Sequence, residues 1–176
     1  MNPKRHGGEA GHRGTGQLTS EAAVTTGGGS STRSGLLVGV GVAAFVDETV
    51  FHQLLHWHHF YDRSTPDAAL VSDGIFHAVG WFALVAGLFW FAALRQRADL
   101  HLARWVGGLL IGAGGFQLYD GTVQHKLLGL HQIRYHVDLL TYDLTWNLVA
   151  VLLLLGGTVV TMRAARTRPD RGRRDR

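Results

Sequence analysis

Asp47, His52 and His58 recur, at the same spacings, as Asp120, His125 and His131. Around the first set the stretch FVDETVFHQLLHWHHFYD adds Glu48, His56 and His59. Imidazole and carboxylate donors without sulfur suit zinc, iron, Cu(II) or manganese. The chain has no cysteine and only two methionines, Met1 and Met162, so thiolate and thioether sites are excluded.

At the 100° per residue of an α-helix, these groups fall on defined faces. Glu48, His52, His56 and His59 run along one face, with Asp47 and His58 on another. Asp73 and His77 form an i, i+4 pair, and His136, Asp143 and Asn147 share a face. Asp120 and His131 fall together, with His125 about 140° away. The expected metal ligands are Glu48, His52, His56, His77 and His125. Asp47, Asp73, Asp120, His131, His136, Asp143 and Asn147 are further ligands or groups that orient the imidazoles. His58 and His59 read equally well as interfacial loop residues. Non-covalent haem is a weaker alternative, with His52 and His125 as axial ligands. No nucleophile elbow and no phosphate-binding glycine loop is present.

The elements that must carry these groups are apolar. Of the 176 residues 46% are hydrophobic, and they gather into blocks at 35–56, 74–94, 105–128 and 139–162. Each block approaches the roughly 20 helical residues that cross a hydrocarbon core. None carries the Lys/Glu stripe of a soluble bundle. The expected fold is therefore an all-α integral membrane protein, a bundle of four transmembrane helices in contact with the lipid bilayer. Residues 1–34 are rich in Gly, Ser, Thr and charge and read as a disordered cytoplasmic tail, 35–162 as the membrane domain, and 163–176 as an Arg-rich cytoplasmic tail. Basic residues precede the first block, lie between the second and third, and follow the fourth. The positive-inside rule then puts both termini in the cytoplasm and the His-rich connections outside. The net charge of +4 reflects seven arginines from Arg163 onward, with no interleaved aromatics, so no nucleic-acid partner is expected.

Gly35–His58 and Gly108–His131 are identical at 12 of 24 positions without a gap. DGIFHAVG from Asp73 more faintly echoes DLTWNLVA from Asp143. This predicts a tandem repeat of two-helix hairpins related by an axis along the membrane normal. The pairs Gly35/Gly39 and Gly108/Gly112 have the small-xxx-small spacing of close helix contacts. Glu48 and His56 face Gly121 and Gly129 in the alignment, so a metal site is expected to lean toward the first span.

The motifs GLLVGVGVAAFVDETVFHQLLHWHH, SDGIFHAVGW, YDGTVQHKLLGLHQIR and YDLTWN together resemble the bacterial family of predicted membrane proteins catalogued as domain of unknown function 2243. The resemblance implies a four-span protein of the bacterial inner membrane and implies no activity. Two function classes follow from the residues. One is a bundle holding one or two transition-metal ions near its outer face, for redox chemistry or for metal handling with respiratory-chain proteins. The other is a non-enzymatic membrane assembly or interaction protein whose polar cluster is structural.

Overall fold

The computed structural model describes residues 15–167, with side chains from Gly28 onward. The parts of the two expected tails at 1–14 and 168–176 lie outside the described residues. The chain is all-helical: α1 (Thr15–Asp47), a π-helical segment π1 (Glu48–Leu54), α2 (Pro66–Gln96), α3 (Leu102–Tyr119), a second π-helical segment π2 (Asp120–Leu128), and α4 (Leu139–Arg166). No strand occurs among the described residues. Thr65 starts α2 by accepting a hydrogen bond from the Ala68 amide at 3.2 Å, with Pro66 at the first helical position. Asp138 does the same for α4 through Leu140.

Among the described residues three helices are long and apolar enough to cross a membrane: Gly28–Leu54, Pro66–Gln96 and Leu139–Arg166. The third expected block instead divides at Asp120 into α3, of 18 residues, and the polar π2. α1 and α3 form the central pair, α2 packs on α1, and α4 packs on α3. The outward faces of α2 and α4 are apolar, with Phe82 75% and Leu152 59% exposed. Apolar exposure on this scale needs a hydrocarbon environment. Inside, the arrangement is inverted: the largest fully buried side chains are His52, His125, His131, Gln124, Glu48, Asp73 and Asp120.

The glycine pairs bring the central helices together. A Cβ on Gly35 or Gly39 would run into the carbonyl oxygens of Trp105 and Leu109, and one on Gly108 or Gly112 into those of Thr32 and Leu36. Only hydrogen atoms fit at that separation. Close packing also extends below residue 35, where the tail was expected to reach. Ser31 accepts from the His101 amide at 3.0 Å, while Ser34 donates to the Gly87 carbonyl at 2.9 Å and accepts from the Trp105 indole at 3.2 Å. Small residues at 28–34 let the helix continue against α3.

Candidate metal centre

Asp47 is the last residue of α1 and Asp120 immediately follows α3, and each is followed by π-helical backbone. A π-helix repeats its hydrogen bonds at i→i+5 rather than i→i+4, so it stacks residues five apart. Asp47 and His52, and Asp120 and His125, are five apart. The faces expected at 100° per residue therefore change. His52 Nε2 comes to 3.7 Å from Asp47 Oδ2, and His125 Nε2 to 3.1 Å from Asp120 Oδ2. His125, expected about 140° from Asp120, is instead its neighbour.

The second histidine of each set comes from the connection that follows. After π1 the chain passes through His56 at φ 50°, and after π2 through Gly129 at φ 54°. In both places the next amide donates back to the π segment, from Trp57 to Phe51 and from Leu130 to Gln124. This turn sends His58 and His131 inward. His58 Nδ1 donates to the Ile133 carbonyl and His131 Nδ1 to the Phe60 carbonyl, each at 2.9 Å. The connections thus cross over the cluster and hold one another, helped by the Asp62 amide donating to Leu130.

With Nδ1 tied to a carbonyl, each of these imidazoles turns Nε2 inward. Burial, and then the neighbouring imidazoles His131, His52 and His125, lower the His58 pKa to about 2, so its ring is neutral. His58 stacks on His131 with ring centres 4.5 Å apart, and His52 and His125 lie edge-on to the pair at 4.5 and 4.7 Å. The Nε2 atoms of His52, His58 and His131, with Asp47 Oδ1, are buried and make no hydrogen bond, while His125 Nε2 has the 3.1 Å approach to Asp120 Oδ2. Such atoms ordinarily find a partner, because an unpaired buried polar group costs about 1–3 kcal/mol. Donor atoms of Asp47, His52 and His58 lie within 4.8 Å of one another, as do those of His58, His125 and His131. Opposite ligands of one ion are about 4 Å apart at ordinary bond lengths of roughly 2.1 Å. Small side-chain movements would close either set around an ion.

Glu48 and Asp73 approach the other side of His52. Its Nδ1 lies 2.8 Å from Glu48 Oε2 and 3.2 Å from Asp73 Oδ1. Asp73 also accepts from the Phe60 amide at 2.7 Å and from His59 Nδ1 at 2.6 Å, which ties α2 to the connection. Glu48 accepts from Gln53 at 2.8 Å. A third donor set, Glu48, His52 and Asp73, arises here.

Other expected ligands stand apart. His56 is exposed and occupies the positive-φ turn; His77 is half-buried against Phe45; His136 is exposed at φ 61°. Asp143 pairs with Lys126 at 2.5 Å, and Asn147 donates to the Asp143 carbonyl at 2.9 Å. His58, equally readable as a loop residue, is 4% exposed. Its recurrence as His131 was the sequence signal for it. Buried Gln124 carried no such signal, since Phe51 stands at the aligned position.

The chain belongs to the family described as predicted membrane protein (DUF2243), which matches residues 34–164. No curated protein and no solved structure matches it.

Proposed function

We propose that this member of the family binds one or two transition-metal ions through the duplicated set Asp47, His52, His58, Asp120, His125 and His131. One observation carries the reading: the Nε2 atoms of His52, His58 and His131 and Oδ1 of Asp47 are buried without a hydrogen bond, and donor atoms of Asp47, His52 and His58, and of His58, His125 and His131, lie within 4.8 Å of one another. Neutral imidazole with its second nitrogen held by a carbonyl or carboxylate is the usual state of a metal-ligating histidine. His58 and His131 use carbonyls, and His52 uses Asp73 and Glu48. The donor chemistry suits copper, iron or zinc. Imidazoles packed ring to ring leave little room for a macrocycle, which favours bare ions over haem.

The matching turns and reciprocal histidine bonds of the two halves support a duplicated hairpin. Four spans, with α3 and π2 together as the third, would put the centre near the outer face of a bacterial inner membrane and both termini in the cytoplasm. An ion there would serve redox chemistry at an open coordination position, or transfer of metal to respiratory-chain proteins.

A second reading takes the reciprocal bonds of His58 and His131 as a structural clasp in an assembly or interaction protein. Elemental analysis of purified protein separates the two. Stoichiometric metal in the wild type, lost in His58→Ala and His131→Ala, is expected; no stoichiometric metal in any preparation leaves the clasp.

A further inference from the structure

His52 presents its two ring nitrogens to different sets of oxygens. Nε2 faces Asp47 at 3.7 Å, while Nδ1 lies 2.8 Å from Glu48 Oε2 and 3.2 Å from Asp73 Oδ1. A ring nitrogen carries at most one hydrogen, so Nδ1 can donate to one of these two oxygens. That bond goes to Asp73. Glu48 Oε2, on a side chain 2% exposed, is left without a hydrogen bond, and its other oxygen accepts from Gln53. Two buried carboxylates thus converge on one N–H, and among the described residues their ion pairs are made to histidines alone, His52 and His59.

Buried carboxylates are paired or coordinate metals, and the surplus oxygen of Glu48 asks for a cation. Donor atoms of Glu48, His52 and Asp73 lie within 4.8 Å of one another. Neighbouring ligands of one ion stand about 3.0–3.4 Å apart at bond lengths of roughly 2.1 Å, close to both approaches to Nδ1. The Phe60 amide and His59 Nδ1 hold the Asp73 carboxylate at 2.7 and 2.6 Å, so it is oriented before an ion arrives. The His59 side chain is 39% exposed, which brings this set, unlike the four packed imidazoles, to the surface. The second half lacks it: Gly121 stands where Glu48 does, and Asp143 pairs with Lys126.

We propose that an exchangeable divalent ion of the manganese or iron(II) class binds between Glu48, Asp73 and His52 Nδ1, at a site separate from the duplicated set and sharing His52 with it through the two ring nitrogens. Two carboxylates with one imidazole suit such ions, whereas the imidazole-rich set suits copper or zinc. The ion takes the place of the Nδ1 hydrogen, which leaves as a proton. The inference deepens the metal reading of this cluster and rests on it for the sharing of His52. Mn(II) lies at the weak end of the divalent series, so this site is read by adding metal rather than from the metal retained through purification.

The test titrates the full chain in detergent, freed of loosely held metal, with Mn(II), the free ion being read from its electron paramagnetic resonance signal. The wild type should bind one Mn(II) per chain at saturation. Glu48→Gln and Asp73→Asn should each lose that binding, with thermal unfolding reporting that the variants are folded. Glu48→Asp keeps the charge but withdraws the oxygen by one methylene, and should bind at least about tenfold more weakly. Asp67→Asn, at an exposed carboxylate in the first turn of α2, should bind as the wild type does. No saturable Mn(II) binding by the wild type, wild-type binding by Glu48→Gln and Asp73→Asn, or equal affinity in Glu48→Asp would overturn the proposal. His58→Ala separates the two readings. Mn(II) binding that survives there, with no stoichiometric metal in purified wild type, sinks the duplicated set and leaves this site. Stoichiometric metal in the wild type, lost in His58→Ala, with no uptake of Mn(II) by either, sinks this site and leaves the duplicated set.

Discussion

The half comprising α1, π1 and α2 and the half comprising α3, π2 and α4 present the same first set of donors on the same turn of backbone, then surround it differently. Asp47, His52 and His58 correspond to Asp120, His125 and His131, and the turn residues His56 and Gly129 both have positive φ. Behind His52 stand Glu48 and Asp73. Behind His125, Gly121 replaces Glu48, and a Cβ there would lie 2.6 Å from the Trp146 ring. Asp143, which echoes Asp73, is turned to Lys126, and His125 Nδ1 makes no hydrogen bond. The shared residues thus build the centre, and the unshared ones polarise one side of it. Glu48 and Asp73 flank His52 alone, while His56 belongs to the backbone turn.

The sharpest test of this comparison removes matched histidines. His52→Ala and His125→Ala should each abolish stoichiometric metal, measured by elemental analysis; retention in one alone would show that only one half binds. Next come the groups behind the imidazoles. Asp73→Asn should weaken metal affinity about 10–100-fold, the usual effect of losing a ligand-orienting carboxylate. Asp143→Asn should leave affinity unchanged, and equal losses in both variants would erase the distinction between the halves. Gly39→Leu and Gly112→Leu should destabilise both halves alike by about 1–3 kcal/mol or more, read from thermal unfolding in detergent.

In metal-free protein the buried, neutral His58 makes stability depend on pH. The unfolded chain takes up a proton near 6.5 and the folded chain only near 2. Stability from this group is therefore complete above about pH 6.5 and falls as pH drops through that window, by up to about 1.4 kcal/mol per pH unit. His58→Gln should flatten that part of the profile. The smallest effect is expected at the turn. His56→Gly relieves a left-handed conformation that costs a non-glycine residue about 1 kcal/mol, so stability should rise slightly with metal content unchanged. Loss of metal in that variant would return His56 to the ligand set.

Much of the fold was legible because it depends on composition and spacing. Long apolar blocks predicted the helices, and Gly35/Gly39 with Gly108/Gly112 predicted close helix contacts, though not that α1 and α3 are the helices that meet there. The divided third block was less legible, because hydropathy does not distinguish α from π geometry. Within the site, the internal alignment picked out Asp47, His52, His58, Asp120, His125 and His131 as repeated ionisable residues. Face assignments at 100° per residue failed where the backbone widened to i→i+5, and so they separated Asp47 from His52 and Asp120 from His125. His77 lay near the right depth on α2, but it packs on Phe45 one turn beyond Asp73.

The sequence alone determined which side chains are available: sulfur-free donors, repeated in two sets, embedded in segments too apolar for water. Those properties are local and survive any arrangement of the helices. Only the tertiary structure decided which donors meet. Convergence depends on two π turns that shift each histidine onto its aspartate, on glycines that let α1 and α3 touch, and on two connections that exchange hydrogen bonds with one another. Each is a relation between distant residues, such as His58 with Ile133, whose geometry no local pattern encodes.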